Sequence, residues 1–194
     1  MRQFQGMRWG VIFLLTLVVS ARSVLADTCP AAPDHRSEIA GLITQVQQAK
    51  TEGAARQITN QMWALWADAP DEPAQAVLDH GMSLRRSYDL LGALGEFDRL
   101  VTYCPDYAEG YNQRAFAHFL RQDFAAALVD LDRAIALSPN HIAALSGRAL
   151  SLLGLGRIDD ARAALAKAMA LNPWLPERRL SAPGGPLAPK GETL

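Results

Sequence analysis

The features that most directly announce chemistry are scarce in this chain. It has two cysteines, no Cys-x-x-Cys pair and four histidines scattered at His35, His80, His118 and His141, which leaves no spacing suited to a zinc or haem site. No glycine-rich phosphate loop or nucleophile elbow occurs. Neighbouring acids such as Asp71-Glu72 and Asp159-Asp160 read as favourable charges at helix starts rather than as paired catalytic carboxylates. No catalytic residue, metal or cofactor is assigned on this basis, and the chain does not read as an enzyme. Charge of one sign is also lacking: 19 basic residues stand against 20 acidic ones, a net charge of −1, so nothing here suits a polyanion such as nucleic acid. The one long apolar run, Trp9 to Val19, is too short to span a bilayer.

That run belongs to a different device. Arg2 and Arg8 precede it and Val24-Leu25-Ala26 follows, the pattern of an export signal over residues 1–26 with cleavage after Ala26. Asp27 and Thr28 stand where a lipoprotein signal requires small residues before Cys29, so the expected product carries no lipid anchor and no membrane-inserted segment. Removal of Arg2, Arg8 and Arg22 shifts the balance further to the acidic side. In an oxidising compartment an even number of cysteines favours a disulfide. Pairing Cys29 with Cys104 would close a loop of 75 positions, worth about 4 kcal/mol in the chain-entropy model. The alternatives are two unrelated thiols or thiolate ligation, for which no companion ligands are present.

Residues 27–36 hold Pro30 and Pro33 and should be extended, with Ser37 as the N-cap of a first helix. Ile39, Leu42, Ile43 and Val46 recur at helical spacing, and after Gly53 a second set follows in Ile58, Met62, Leu65 and Trp66. Residues 37–73 thus read as a helical hairpin ending in the loop from Asp68 to Pro73. Trp63 and Trp66 lie three apart on its second helix, as core anchors or, in a second reading, as an aromatic binding patch.

Beyond the hairpin the chain repeats with a period of 34. Tyr111, Arg114, Ala115, His118, Ala127, Leu131, Ala134 and Pro139 recur as Leu145, Arg148, Ala149, Leu152, Ala161, Leu165, Ala168 and Pro173. A weaker copy precedes them in Val77, His80, Gly81, Leu84, Ala93, Phe97, Leu100 and Pro105. Three units follow, 74–107, 108–141 and 142–174, each a pair of antiparallel helices. Gly81, Ala115 and Ala149 on the first helices, and Ala93, Ala127 and Ala161 on the second, stay small where the two helices cross most closely. The prolines fall just past each second helix, which they cannot continue. Residues 175–194 read as a short turn around Glu177 and then, from 181, a disordered tail.

The order of these residues resembles the tetratricopeptide repeat, with its W-x2-L-G-x2-Y, A-x3-F and P pattern. The resemblance implies an all-α fold, a right-handed α-solenoid of antiparallel helix pairs preceded here by the hairpin. It also implies that the first helices form a concave surface that binds a protein partner. Carried over position by position, that surface falls on Glu109, Asn112, Phe116 and Phe119 and, in the last unit, on Ser146, Leu150 and Leu153: an apolar groove for an extended segment or helix of a partner. The second reading makes Phe116 and Phe119 core residues. No lysine lies on this face, which disfavours the family's clamp for C-terminal carboxylates. Arg114 and Arg148 depart from the pattern, standing where leucine is usual. A buried unpaired cation costs several kcal/mol, and Asp98 and Asp132, each 16 positions before its arginine, are the expected partners, with ligand binding as the alternative use of these charges. The chain is also similar to small exported repeat proteins of alphaproteobacteria, which implies a periplasmic home. The functional expectation is a periplasmic interaction module, a scaffold or adaptor. The alternative is a structural subunit acting by self-association or within a larger envelope complex.

Overall fold

A computed structural model describes residues 28–189, and the expected export signal and cleavage point lie outside them. Eight helices follow one another without a strand among the described residues: α1 (Arg36–Gln48), α2 (Glu52–Trp66), α3 (Glu72–Arg86), α4 (Leu90–Tyr103), α5 (Ala108–Leu120), α6 (Phe124–Leu137), α7 (Ile142–Gly154) and α8 (Ile158–Leu171), closed by a 3-10 turn at Pro176–Ser181. The pairs α3–α4, α5–α6 and α7–α8 stack in order as an α-solenoid.

The period is visible in the backbone as well as in the side chains. Each turn between paired helices passes through a left-handed residue 34 positions from the next: Tyr88 at φ 68°, Gln122 at φ 63° and Gly156 at φ 71°. Only the last of these is glycine, so the first two turns hold a side chain in a region L-residues seldom occupy. Asp89 and Asp123 then cap α4 and α6, accepting the N–H of Gly92 and Ala126. Within the first pair the helices meet so closely that a Cβ on Gly81 would lie 2.5 Å from the Phe97 ring, and no alanine fits there without displacing it. Asp71 caps α3 and Thr51 caps α2. The expected cap at Ser37 is not formed: α1 begins two residues earlier, with His35 at the capping position and no side-chain cap.

The hairpin α1–α2 does not extend the stack in chain order. Its apolar face, Ile39, Leu42, Ile43, Val46, Ala55 and Met62, packs in one core with Ile142 and Leu145 of α7, Ala168 of α8 and Leu175. It therefore reaches back across the array to the last unit. Gln47 donates to the Ala170 carbonyl at 2.8 Å and Asn172 donates to the Thr59 hydroxyl at 3.2 Å. At its other end the Tyr107 hydroxyl donates to the Trp66 carbonyl at 2.9 Å, and Ala67 and Ala69 join the core between α3 and α4.

Two fasteners hold the lead before α1. Cys29 and Cys104 form a disulfide with their Cα atoms 5.1 Å apart, fixing the lead to the end of α4. His35 bridges Asp68 at 2.7 Å and Glu38 at 2.8 Å. The tail corrects one expectation. The segment expected to be disordered from 181 folds back through the described residues: Leu187 is buried in the core formed by Ala149, Ala161 and Leu165, and Arg162 donates to the carbonyls of Leu187 and Ala188. Proline and glycine spacing concealed a single apolar anchor.

Two outcomes follow. Changing both cysteines to alanine should lower unfolding stability by about 2–4 kcal/mol in urea titrations. A reductant should weaken the wild type similarly and leave the variant unchanged. The hydrogen bond to Asp68, and then that to Glu38, raise the His35 pKa above its ordinary value of about 6.5. The proton is thus bound more tightly in the folded state, so this contribution is complete below about pH 6.5 and is lost as pH rises through the folded-state value. Melting curves of the wild type against His35→Gln should converge above that value.

Candidate functional site

The α5 and α7 faces turned towards the hairpin enclose a cavity of about 280 Å³. Asn112, Ala115, Phe116 and Phe119 of α5 and Ser146, Gly147 and Leu150 of α7 line it. Five of the residues expected on the concave face are thereby brought together. The walls also include residues outside the repeats: Trp63 of α2 on one side and Leu175, Pro176 and Glu177 on another. Phe116 is 42% exposed, an apolar ring open to solvent beside the cavity. Arg85 of α3 lies over it with its guanidinium carbon 4.4 Å from the ring centroid. Burial, and then the neighbouring Arg86, lower the Arg85 pKa.

Two expected residues lie elsewhere. Glu109 sits in the first turn of α5, beneath the end of α2 and the start of α7, and is buried rather than groove-lining. Its carboxylate accepts from Asn112 at 3.0 Å, from the Gln113 amide, and from His141 Nε2 at 2.9 Å. Because His141 Nδ1 accepts the backbone N–H of Ala144, the proton belongs on Nε2 and the imidazole donates to Glu109. Trp66 stacks on that imidazole at 4.3 Å, so one buried acid locks α2, α5 and α7 together. Leu153, one turn beyond Leu150, has rotated off the cavity and packs against the core that holds Ala161, Leu165 and Leu187. Trp63 and Trp66 divide the two roles proposed for them, the first in the cavity wall and the second in the core.

The charged residues form a ladder along the array. Arg114 Nη1 reaches Asp98 at 2.8 Å, and Arg148 Nε reaches Asp132 at 2.7 Å. Spacing alone missed the stronger contact: Arg114 binds Asp130 through two bonds of 2.8 and 2.6 Å. The Asp130 side chain is only 5% exposed against 64% for Asp98. The Asp130 carboxylate and, less strongly, Asp98 hold the Arg114 pKa far above its usual value. The signal was legible, since Asp130 stands 16 positions after Arg114 as Asp98 stands 16 before. The same step pairs His80 with Glu96 at 3.4 Å, and in the last unit it falls on Ala164, where the ladder ends. Among the described residues no cluster of three or more acidic, histidine or cysteine side chains could hold a metal ion.

Residues 118–174 match the family model described as tetratricopeptide repeat. A TPR repeat-containing protein of Rhizobium etli is 23% identical over 135 residues, 70% of this chain and 66% of that one. Tetratricopeptide repeat protein 36 of Mus musculus is 36% identical over 118 residues, 55% of this chain and 63% of that one. The chain thus spans a little under two thirds of the length of these relatives. Among solved structures, the TPR2B domain of yeast Sti1 in complex with an Hsp70 peptide superposes with a TM-score of 0.51 at 22% identity, covering 55% of this chain and 87% of that one. The second TPR domain of human RPAP3, in complex with an HSP70 peptide, gives 0.52 at 21%, covering 54% and 87%. At such identities the likeness is one of fold.

The ladder makes a graded prediction. Asp130→Ala, which strands the part-buried Arg114, should cost about 3 kcal/mol or more, whereas Asp98→Ala at the exposed end should cost under about 1 kcal/mol. Chemical denaturation of the two variants side by side tests the order.

Proposed function

The chain belongs to the tetratricopeptide repeat family, and on that footing we propose that it is a protein-interaction module which binds a segment of a partner at the α5–α7 cavity. The observation that carries this reading is the half-exposed Phe116 between an apolar cavity and an unpaired guanidinium. A large apolar side chain left in water beside a concave apolar surface marks a contact site, where burying it on association supplies the driving force. The yeast and human domains of the same fold are described as complexes with Hsp70 peptides, which supports peptide recognition as the general mode. Their ligands are not transferred to this chain, whose face offers Asn112 and no lysine.

We also place the protein in the periplasm and outside the enzymes. The first 26 residues and the disulfide support export to an oxidising compartment. Among the described residues no helix is long and apolar enough to cross a membrane.

A photo-crosslinking residue at Phe116, in cells producing the protein, should give discrete adducts. The same residue at Val129, on the exposed face of α6, should give none. With the photo-crosslinking residue moved to Leu150, which lines the same cavity, Phe116→Asp should reduce recovery of the adducts by about tenfold or more while leaving the melting temperature within a few degrees. Equal labelling from Phe116 and Val129 would overturn the reading, and fractionation of the same cells tests the compartment.

A further inference from the structure

Buried polar atoms normally have partners, and among the described residues most of those that lack them lie in or beside one cavity. Five buried side-chain nitrogen or oxygen atoms among the described residues have no hydrogen-bond partner: Arg85 Nε, Gln113 Oε1, Ser146 Oγ, Ser151 Oγ and Glu177 Oε2. Three of them, on Ser146, Ser151 and Glu177, belong to residues lining the cavity, and Arg85 stands at its rim over Phe116. Ser146 is 5% exposed and Ser151 0%, so neither hydroxyl is satisfied by bulk water. Each such group left unmet destabilises the free protein, because it has given up water and gained no partner. A site that concentrates them is built to receive hydrogen-bonding groups from a ligand.

The remaining lining defines what else that ligand carries. Trp63, Phe116, Phe119, Leu131, Leu150 and Leu175 present rings and branched aliphatics, which calls for an apolar body. Size is the next constraint. Sites for drug-sized ligands run from about 300 to 1,000 Å³, and this cavity is about 280 Å³, enough for one large residue and not for a continuous segment. The walls agree. Trp63 of the hairpin and Leu175 to Glu177 beyond α8 stand where the concave face of a bare array would continue, so this is no through-groove. A chain entering it is best accommodated by ending there.

Charge chooses the end. The charged residue lining the cavity from the 3-10 turn is Glu177, one oxygen of whose carboxylate is buried and unpartnered. An incoming carboxylate would be repelled by it, whereas an α-ammonium supplies three donors and the opposite charge. We propose that the cavity binds the free N-terminus of a partner chain whose first residue is large and apolar. The side chain seats between Phe116, Phe119 and Leu150, and the α-ammonium meets Glu177 with Ser146 and Ser151 beside it. Arg85 then faces the residues that follow and favours an acidic one. This rests on the interaction-module reading above and specifies its ligand.

The test uses the chain with its disulfide intact, titrated calorimetrically with the peptide amide Phe-Ser-Glu-Ala-Gly-Ser, its N-acetylated form and a form beginning with glycine. The free-amine phenylalanine peptide should bind about tenfold or more tighter than either of the others, the range expected when a charge-assisted hydrogen bond is lost. Its affinity should also fall as pH passes the α-amine value near 8. Glu177→Gln should bring the free-amine peptide down to the level of the acetylated one without changing the latter. Ser146→Ala should weaken the free-amine peptide several-fold at an unchanged or raised melting temperature, because the hydroxyl it removes has no partner in the free protein. Equal binding of the acetylated peptide would overturn the proposal while leaving the module reading intact, since an internal segment would then suffice. Phenylalaninamide binding as tightly as the peptide would overturn it in favour of a small amine. No binding by any probe up to millimolar concentration would overturn it too, and crosslinking from Phe116 would then judge the broader reading separately.

Discussion

A stack of helix pairs always leaves one apolar face at its end, and where that face goes decides the rest of this structure. Each unit buries its apolar surface against the next, so the last unit has no successor. Here the successor comes from the other end of the chain. Ile39, Leu42, Ile43, Val46 and Met62 cover Ile142, Leu145 and Ala168, and Leu175 is caught in the same core. Joining the N-terminal hairpin to the last unit turns an open row into a closed body. The hairpin gains most of its stability from this docking, because helices of this length are marginal in water on their own. Leu187 covers a second part of the last unit from the C-terminal side.

Polar contacts determine how that closure is registered. Apolar burial is nearly indifferent to small slides and rotations, whereas Glu109 accepts from three side chains at once and tolerates few. With His141 bonded on one side of it and Trp66 stacked on that ring, the carboxylate fixes α2 relative to α5 and α7. Removing any one partner leaves the others buried and unmet, which is the usual reason such networks specify geometry more than they add stability. The ladder through Asp98, Arg114, Asp130, Asp132 and Arg148 has a related role within and between units. Its part-buried member, Asp130 with Arg114, secures α5 to α6, and its exposed members add little.

The array was legible in the sequence because its cause is local and repeated: small residues where helices cross, a proline where each pair ends. Even the left-handed turns keep the period, although tyrosine and glutamine at two of the three positions hide it from a search for glycine. The closure was not legible. Nothing in Ile39 or Met62 distinguishes packing on a neighbour in sequence from packing on a unit about a hundred residues away, since the apolar stripe is the same in both cases. Glu109 was misassigned for the same reason. Repeat position alone puts it on the concave face, and only the hairpin lying over it makes it a core residue. The tail was misread because composition averages over the one side chain, Leu187, that matters.

These misreadings share a source with the cavity. In a bare array the face carrying Asn112, Phe116, Ser146 and Leu150 would be an open trough, with Ser146 within reach of water. The hairpin brings Trp63 to one wall and the docked end of α8 brings Leu175 to Glu177 to another, both consequences of covering the last unit. Water is thereby excluded from the two serine hydroxyls and from one oxygen of Glu177, and no protein group replaces it. The cost of leaving those atoms unmet is set against the burial that closes the array, and the closed body tolerates it because burial of the apolar core outweighs a few unmet polar atoms. A ligand that meets those atoms recovers that cost on binding. The interaction that completes the fold is therefore also the one that gives its concave face a polar preference, and repeat residues alone would not supply it.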